Sequence, residues 1–443
     1  MASSRSSLEV PEGEPLLNNA ADAETGLLDG NEPLGDDESN MTSRIIASAF
    51  SFVVAGLFTS TTGVVIPHLQ EYYHLSDIHV SAIFLVTPIG YVLASRLNDR
   101  VHNKFGQRGI AIASPLCQLI YAAVACFRPS FPLFLVGVAI GSFGIGLIDG
   151  SWCAWVAGLP KANTLSGLLH GSFSTGAAIC PYLAGIMLSE SGSLWYRWYF
   201  VLAASSVADI IVLAWAFRRE DSDRYHRSKL RREIAGDSQK NGAIFQYSAT
   251  SVYAVYLLAY VGTECTISGW VVSFMLRVRK TTTYASSICS SGFWAGMAVG
   301  RLLLGAVTDK LGPKRAVVVY LLFAPVLTIL FIFIRVLWFS VFAMAAIGFV
   351  MGPLFPSAVV VLVNLLPKDL HVAAVSFVAS LGQVGGALLP YMLGAITQVA
   401  GLEAFQYMLL VQFVVLLGIW MLSFRLSVPK ELEDEQQNHL RQD

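Results

Sequence analysis

Charge is scarce in this chain. Asp, Glu, Lys and Arg make up 13% of its 443 residues, hydrophobic residues make up 55%, and the mean hydropathy is +0.59. Soluble domains carry roughly a quarter charged residues, so a freely soluble globule is excluded. Strand-like alternation is also missing; the apolar residues come in long runs. The six cysteines (Cys117, Cys126, Cys153, Cys180, Cys265 and Cys289) have no CxxC spacing and lie in or beside those runs. They are expected to act as small packing residues, with no metal site and no disulfide framework. No GxxxxGK[ST] loop occurs, which disfavours ATP-driven pumping. No HExxH, paired-Asp or GxSxG motif occurs either, so no catalytic residue and no cofactor is expected. The net charge of −1 gives no reason to expect a nucleic-acid partner. The N-terminus is long, polar and acidic before the first apolar run. It does not read as a secretory signal, and the first transmembrane helix is expected to direct insertion.

The runs themselves number twelve, from near 46–67 to near 403–424, and each is long enough to cross a bilayer. The expected fold class is an all-α membrane protein with twelve transmembrane helices in two six-helix halves. Five segments are expected. Residues 1–44, with ten acids and two arginines, read as a disordered acidic tail; 45–217 as the first six-helix half; 218–248 as a basic loop; 249–425 as the second half; and 426–443 as a second tail. The 218–243 stretch carries eight Lys or Arg against five acids. The positive-inside rule puts it, and with it both termini, in the cytoplasm. Arg277, Arg279 and Lys280 fall on the outer side in that topology, where an outer basic vestibule and a membrane-potential or packing role are all open. EGEPLL at 12–17 fits an acidic dileucine sorting signal, a pattern short enough to arise by chance.

The halves resemble each other. Gly176, Pro181, Tyr182 and Gly185 in GAAICPYLAGI match Gly385, Pro390, Tyr391 and Gly394 in GGALLPYMLGAI at one constant offset, in the fifth span of each half. Such repeats are found in transporters that rock one half against the other. The turn after the eighth span, GRLLLGAVTDKLGPKR, resembles the gating signature of the major facilitator superfamily at Gly305, Asp309, Lys310, Gly312 and Lys314. The equivalent first-half turn is degenerate: aligning FGQR (105–108) with LGPK puts Asn103 where the signature has its acid, and aligning on Asp99 instead leaves about three extra residues before the glycine. YVGTECTISGW, GIGLIDG and LLHGSFSTGAAICPYLAG are similar to the fucose permease-like branch of that superfamily and to a fungal group beside it, whose substrates are largely unassigned. In sugar–proton symporters of that branch an acid in the fourth span takes the coupling proton, and Asp149 matches it. A second acid, late in the first span, is replaced here by Gly63, which counts against sugar transport by the same mechanism.

Asp149 and Glu264 each stand alone in a long apolar run. A carboxylate at that depth usually faces a cavity or a partner, and a buried carboxyl favours its neutral form, which suits proton loading. Both are candidate proton-coupling residues, against a structural acid for Asp149 and a backbone-satisfying Glu at a kink for Glu264. Gly262 and Gly269 flank Glu264 and would let the seventh helix bend. His170, with Ser174 one turn on, is a candidate relay or a packing histidine. Trp152, Trp270 and Trp294 are candidate substrate-stacking rings, against interface or packing roles. Asn364 and Gln383 are candidate ligand contacts, against interhelical hydrogen bonding. Arg301 is expected to pair near the cytoplasmic surface, and Asp209 has no partner on its own helix.

The pattern points to a secondary active transporter of a small organic solute by alternating access, coupled to protons, in the plasma or vacuolar membrane and working as a monomer. A non-transporting nutrient sensor on the same scaffold, and less so a polytopic membrane enzyme, are the alternatives.

Overall fold

The computed structural model describes residues 38–190, 194–227, 243–367 and 370–426, and among them there is no strand. In hydrocarbon every backbone polar group must be satisfied within the protein, which leaves apolar runs such as these the helix. The first half holds α1 (Glu38–Tyr73), a short α2 (Asp77–Val80), α3 (Ala82–Cys126), α4 (Phe131–Ala157), α5 (Ala162–Glu190) and α6 (Tyr196–Ala216). The second holds α7 (Ser248–Arg277), α8 (Thr283–Leu311), α9 (Pro313–Phe333), α10 (Leu337–Met351), α11 (Leu354–Val363), α12 (His371–Ala400) and α13 (Ala404–Leu422). The dileucine-like stretch, most of the N-terminal tail, the middle of the basic loop and the C-terminal tail lie outside the described residues.

Eleven stretches are long and apolar enough to span a membrane. One of them contains α3, whose 45 residues would run roughly 68 Å as one helix, about twice a bilayer core. Gly106, at φ 67°, turns the chain inside α3. The two limbs make two crossings and bring the total to the expected twelve. The second departure is α10–α11. The span expected as one helix is interrupted at Gly352 and Pro353, because Pro353 has no N–H and its ring crowds the preceding turn.

Gly106 and Gly312 are equivalent turn positions, and both have positive φ (67° and 80°), a region where a side chain is strained. This supports the alignment of FGQR with LGPK. Asn103 stands in the acid's place, and its backbone carbonyl accepts the Ser222 hydroxyl at 2.6 Å and the His226 ring at 3.0 Å. The carboxylate at this turn comes from elsewhere. Glu220, just after α6, pairs with Arg44 on α1 at 2.6 Å, and its carbonyl accepts the Arg108 N–H at 2.9 Å. Arg44 belongs to the segment expected to be tail; α1 begins at Glu38, inside that segment.

The internal repeat is expressed as packing. A Cβ on Gly176 of α5 would run into the Val53 backbone on α1, and one on Gly385 of α12 into the Leu258 backbone on α7. Gly185 and Gly394, nine residues on in each case, both meet the opposite half: Ser287 on α8 and Ser81 just before α3. Small residues at these points allow helices to approach closely.

Candidate solute and proton pathway between the halves

The halves touch at one end of the bundle and part at the other. At the end where α1 leads into α3 and α7 into α8, the far end, Gly63 lies against the Ser268 carbonyl and Gly269 against the Phe84 ring. A Cβ on Gly185 would sit 2.5 Å from that of Ser287. Along the same pair of helices toward the basic loop, a Cβ on Gly171 reaches only the Leu302 side chain at 4.0 Å, and one on Gly167 meets nothing within 4 Å. The small-residue contacts between α5 and α8 therefore thin out toward the loop end, and the space between the halves there is the candidate cleft. Gly63 stands where a sugar–proton symporter of the resembled branch would carry an acid, and the α7 backbone leaves no room for one.

Glu264 is deep in the interface, and its partner is a cation that was expected elsewhere. Arg301 of α8 places Nη2 3.8 Å from the Glu264 carboxylate, with side chains 12% and 11% exposed. Its Nη1 donates across the interface to the His170 carbonyl at 3.0 Å and to the Ser174 hydroxyl on α5. Arg301 thus joins the halves near mid-helix instead of pairing at the cytoplasmic surface. The break between α10 and α11 sits behind it: a Cβ on Gly352 would come within 2.7 Å of the Arg301 backbone nitrogen. The Met351 carbonyl at that break accepts the Tyr260 hydroxyl at 3.2 Å, and Tyr260 is one turn from Glu264 on α7. α7 itself is unbroken from Ser248 to Arg277. Gly262 and Gly269 are close contacts with Leu389 and Phe84, which replaces the expected bend.

Asp149 has a different environment. Its Oδ1 accepts the Cys153 thiol one turn on at 3.6 Å, and the Tyr91 phenol lies within electrostatic reach of Asp149, Cys153 and Cys265. No ion pair to Asp149 occurs among the described residues. Cys265 follows Glu264 on α7, so Asp149 and Glu264 face one region from opposite halves. His170 is there too: its carbonyl accepts from Arg301, and its ring lies within electrostatic reach of the same guanidinium. Its ring lies between Phe52 at 6.0 Å and Phe355 at 6.2 Å and makes no hydrogen bond among the described residues.

The aromatic candidates separate. Trp294 has 2% exposure, donates to the Ser268 hydroxyl at 3.0 Å and meets Phe173 of the other half at 5.8 Å, which puts it in the interface. Trp270 donates to the Pro390 carbonyl at 3.0 Å and approaches Phe84 at 6.4 Å, in the closed far end. Trp152 is buried and stacked on Phe217 at 4.3 Å. Its ring is taken up by Phe217, the residue that ends α6, and meets Trp155 edge-on at 6.4 Å, so the substrate-stacking reading is corrected for this residue. Asn364 is corrected as well: it is the exposed residue that ends α11, not a polar group within a span. Gln383 is half-buried on α12 and makes no side-chain hydrogen bond among the described residues. Asp209 receives the partner its own helix lacked, the Ser51 hydroxyl of α1 at 3.0 Å.

At the loop end Lys314 donates to the Ser423 carbonyl at 3.3 Å. Asp309 and Lys310 are exposed, and Asp309 has no ion pair among the described residues. The six cysteines are free thiols. An apolar groove of about 400 Å³ lies on the outer surface between α3 and α4, lined by Val86, Leu93, Leu135 and Phe143 among others. Its lining has no polar side chain to orient a solute.

A model of the Major Facilitator Superfamily matches residues 48–280 and again 252–442. The chain belongs to the major facilitator superfamily. It is 31% identical over 397 residues to Bypass of stop codon protein 6 of Saccharomyces cerevisiae, covering 81% of this chain and 78% of that protein. It is 22% identical over 404 residues to a glucose/galactose transporter of Brucella abortus, covering 84% and 93%. The crystal structure of a D-xylose–proton symporter matches with a TM-score of 0.71 at 12% identity, covering 88% and 98%. The family and fold expected from the signature turn are borne out, as is the kinship with fungal and sugar-transporter members. The chain is a multi-pass membrane transporter and not an enzyme.

Proposed function

We propose that this transporter is a proton-coupled carrier of a small polar organic solute that works by alternating access, with the solute held between the halves near Asp149, Glu264 and Arg301. The observation that carries the reading is Arg301, bonded to α5 in one half and paired with Glu264 in the other. While Glu264 is charged, it helps to hold the guanidinium in place. Protonation of Glu264 removes that attraction and frees Arg301 to release α5 or to meet the solute. Asp149, beside the Cys153 thiol and the Tyr91 phenol and without an ion pair among the described residues, is the second proton carrier, and it faces the same cleft from the first half. Trp294 is the aromatic candidate for the solute, since it lies in the interface and not within one half. The glucose/galactose and xylose–proton relatives favour a solute with several hydroxyl groups. The basic loop end is assigned to the cytoplasm, so the cleft is open inward.

The test is solute-driven proton flux in proteoliposomes holding a pH-sensitive dye. Wild type, Asp149→Asn and Glu264→Gln are compared on sugars, amino acids and organic acids. Flux in wild type that either substitution abolishes is the expected result, and its sign separates symport from antiport. Solute movement with no proton movement would overturn the coupling.

A further inference from the structure

The far end is closed by more than glycine packing. Asp77, at the start of α2 in the first half, takes both guanidinium nitrogens of Arg277, the last residue of α7 in the second half: Nη1 to Oδ1, and Nη2 to Oδ2 at 3.1 Å. The Asp77 side chain is 7% exposed. Gln70 of α1 also donates to Oδ1, at 2.6 Å, and the Thr397 hydroxyl of α12, which donates to the Gly394 carbonyl at 2.9 Å, lies beside the same carboxylate. The Asp77 carbonyl accepts the Ser81 hydroxyl at 2.6 Å, and Ser81 is the residue against which Gly394 of α12 packs. One carboxylate thus ties α1 to α7, and α12 packs against the same turn. The bidentate form fixes direction as well as distance, so a small outward rotation of α7 breaks both bonds together. No comparable pair crosses between the halves at the loop end among the described residues.

We propose that Asp77 and Arg277 are the positioning residues of transport that lock the far end, holding it shut while the loop end is open and separating when the carrier turns over. Arg277 is one of the outward basic residues whose role the sequence leaves open, and its task here is neither a vestibule nor helix packing alone. The inference rests on the alternating-access reading above. It makes a distinct claim: the pair sets which end is open, without touching solute or proton.

Cys265 is a native reporter, since it lies in the interface beside Glu264. The full-length chain in oriented membrane vesicles is treated with a membrane-impermeant maleimide from one side at a time, and label at Cys265 is read by peptide mass spectrometry. Wild type should react from the loop side. Asp77→Asn and Arg277→Gln should each raise far-side labelling about tenfold and lower loop-side labelling, and the exchanged pair Asp77→Arg with Arg277→Asp should return both toward wild type. Far-side labelling unchanged in both single variants overturns the lock. An exchanged pair that labels like the singles does so too, because the effect would then be local unfolding. The two readings fail separately. Wild-type proton flux with no labelling change removes the lock and leaves the carrier. The labelling change without wild-type proton flux upholds the lock and removes the coupling.

Discussion

Each half of this transporter carries a carboxylate facing the cleft, and the two are held in opposite ways. Glu264 has a cation 3.8 Å away, and that cation is bonded onward to the other half. Asp149 has a thiol at 3.6 Å and a phenol in reach, and no ion pair among the described residues. One acid is built into a cross-half connection and the other is available. Two acids that look alike in sequence thereby meet different surroundings, which fits the separable duties proposed for them: the first would couple protonation to the position of the halves, and the second would load a proton.

The strongest way to break this contrast is Arg301→Ala. It leaves Glu264 buried without its cation and α5 without its donor, and losing one partner of such a pair costs about 3 kcal/mol. Transport should be lost, and thermal stability in detergent should fall. Adding Glu264→Gln to Arg301→Ala should recover most of the stability but no transport. A double variant as unstable as the single would show that the pair is not the source. Asp149→Asn is expected to differ in kind. With no ion pair to lose, stability should change by less than about 1 kcal/mol, while solute-driven proton flux falls at least tenfold. A large fall in melting temperature would place Asp149 among the structural acids and remove the contrast.

A third prediction uses the thinning of the α5–α8 contacts toward the loop end. Gly185→Leu inserts a side chain where a Cβ already comes 2.5 Å from that of Ser287. It should slow transport about tenfold by keeping the far end from closing. Gly167→Leu, on the same helix where nothing lies within 4 Å, should bind solute normally from the loop side and slow only the step that closes that end. Initial uptake and equilibrium solute binding, measured on both variants, separate the two. Equal effects on binding would mean that the opening has been assigned to the wrong end.

The class, the number of crossings, the repeat and the two deep acids were legible in the sequence, because hydrocarbon imposes them locally. A run of about 20 apolar residues can only be a helix there, and a carboxylate within it is conspicuous. What was not legible depends on which helix face meets which neighbour. Arg301 reads as part of a basic signature turn, and only the break at Gly352 and the approach of α5 turn it toward Glu264. Trp152 shares a helical face with Asp149 by spacing, yet Phe217 from α6 takes its ring. Asp77 and Arg277 are 200 residues apart, and nothing in either neighbourhood announces the other. Gly106 was a partial signal. FGQR and Asp99 offer two alignments to the signature, and only the positive φ of Gly106 favours FGQR, while the acid at that turn is Glu220, after α6.

That relocated acid gives the smallest expected effect and the finest test of how far the halves still correspond. Glu220 and Arg44 are 12% and 5% exposed and 2.6 Å apart, and they tie the end of α6 to the start of α1 beside the Gly106 turn. Both lie within the first half, so they hold that half together without crossing the interface. Glu220→Gln keeps an acceptor and loses the charge, for a cost of about 1 kcal/mol in stability and a two- to threefold slower transport rate with solute affinity unchanged. Asn103→Asp would put a carboxylate where the signature has one. If the relocated acid has taken over that task, Asn103→Asp should restore the rate in the Glu220→Gln background and do little in wild type. Rates measured on the four chains decide it. Failure of Asn103→Asp to restore anything would mean that Glu220 is specific to this turn, which it also holds through its backbone carbonyl on Arg108, and that the two halves have diverged in mechanism at their loop ends as well as in their central acids.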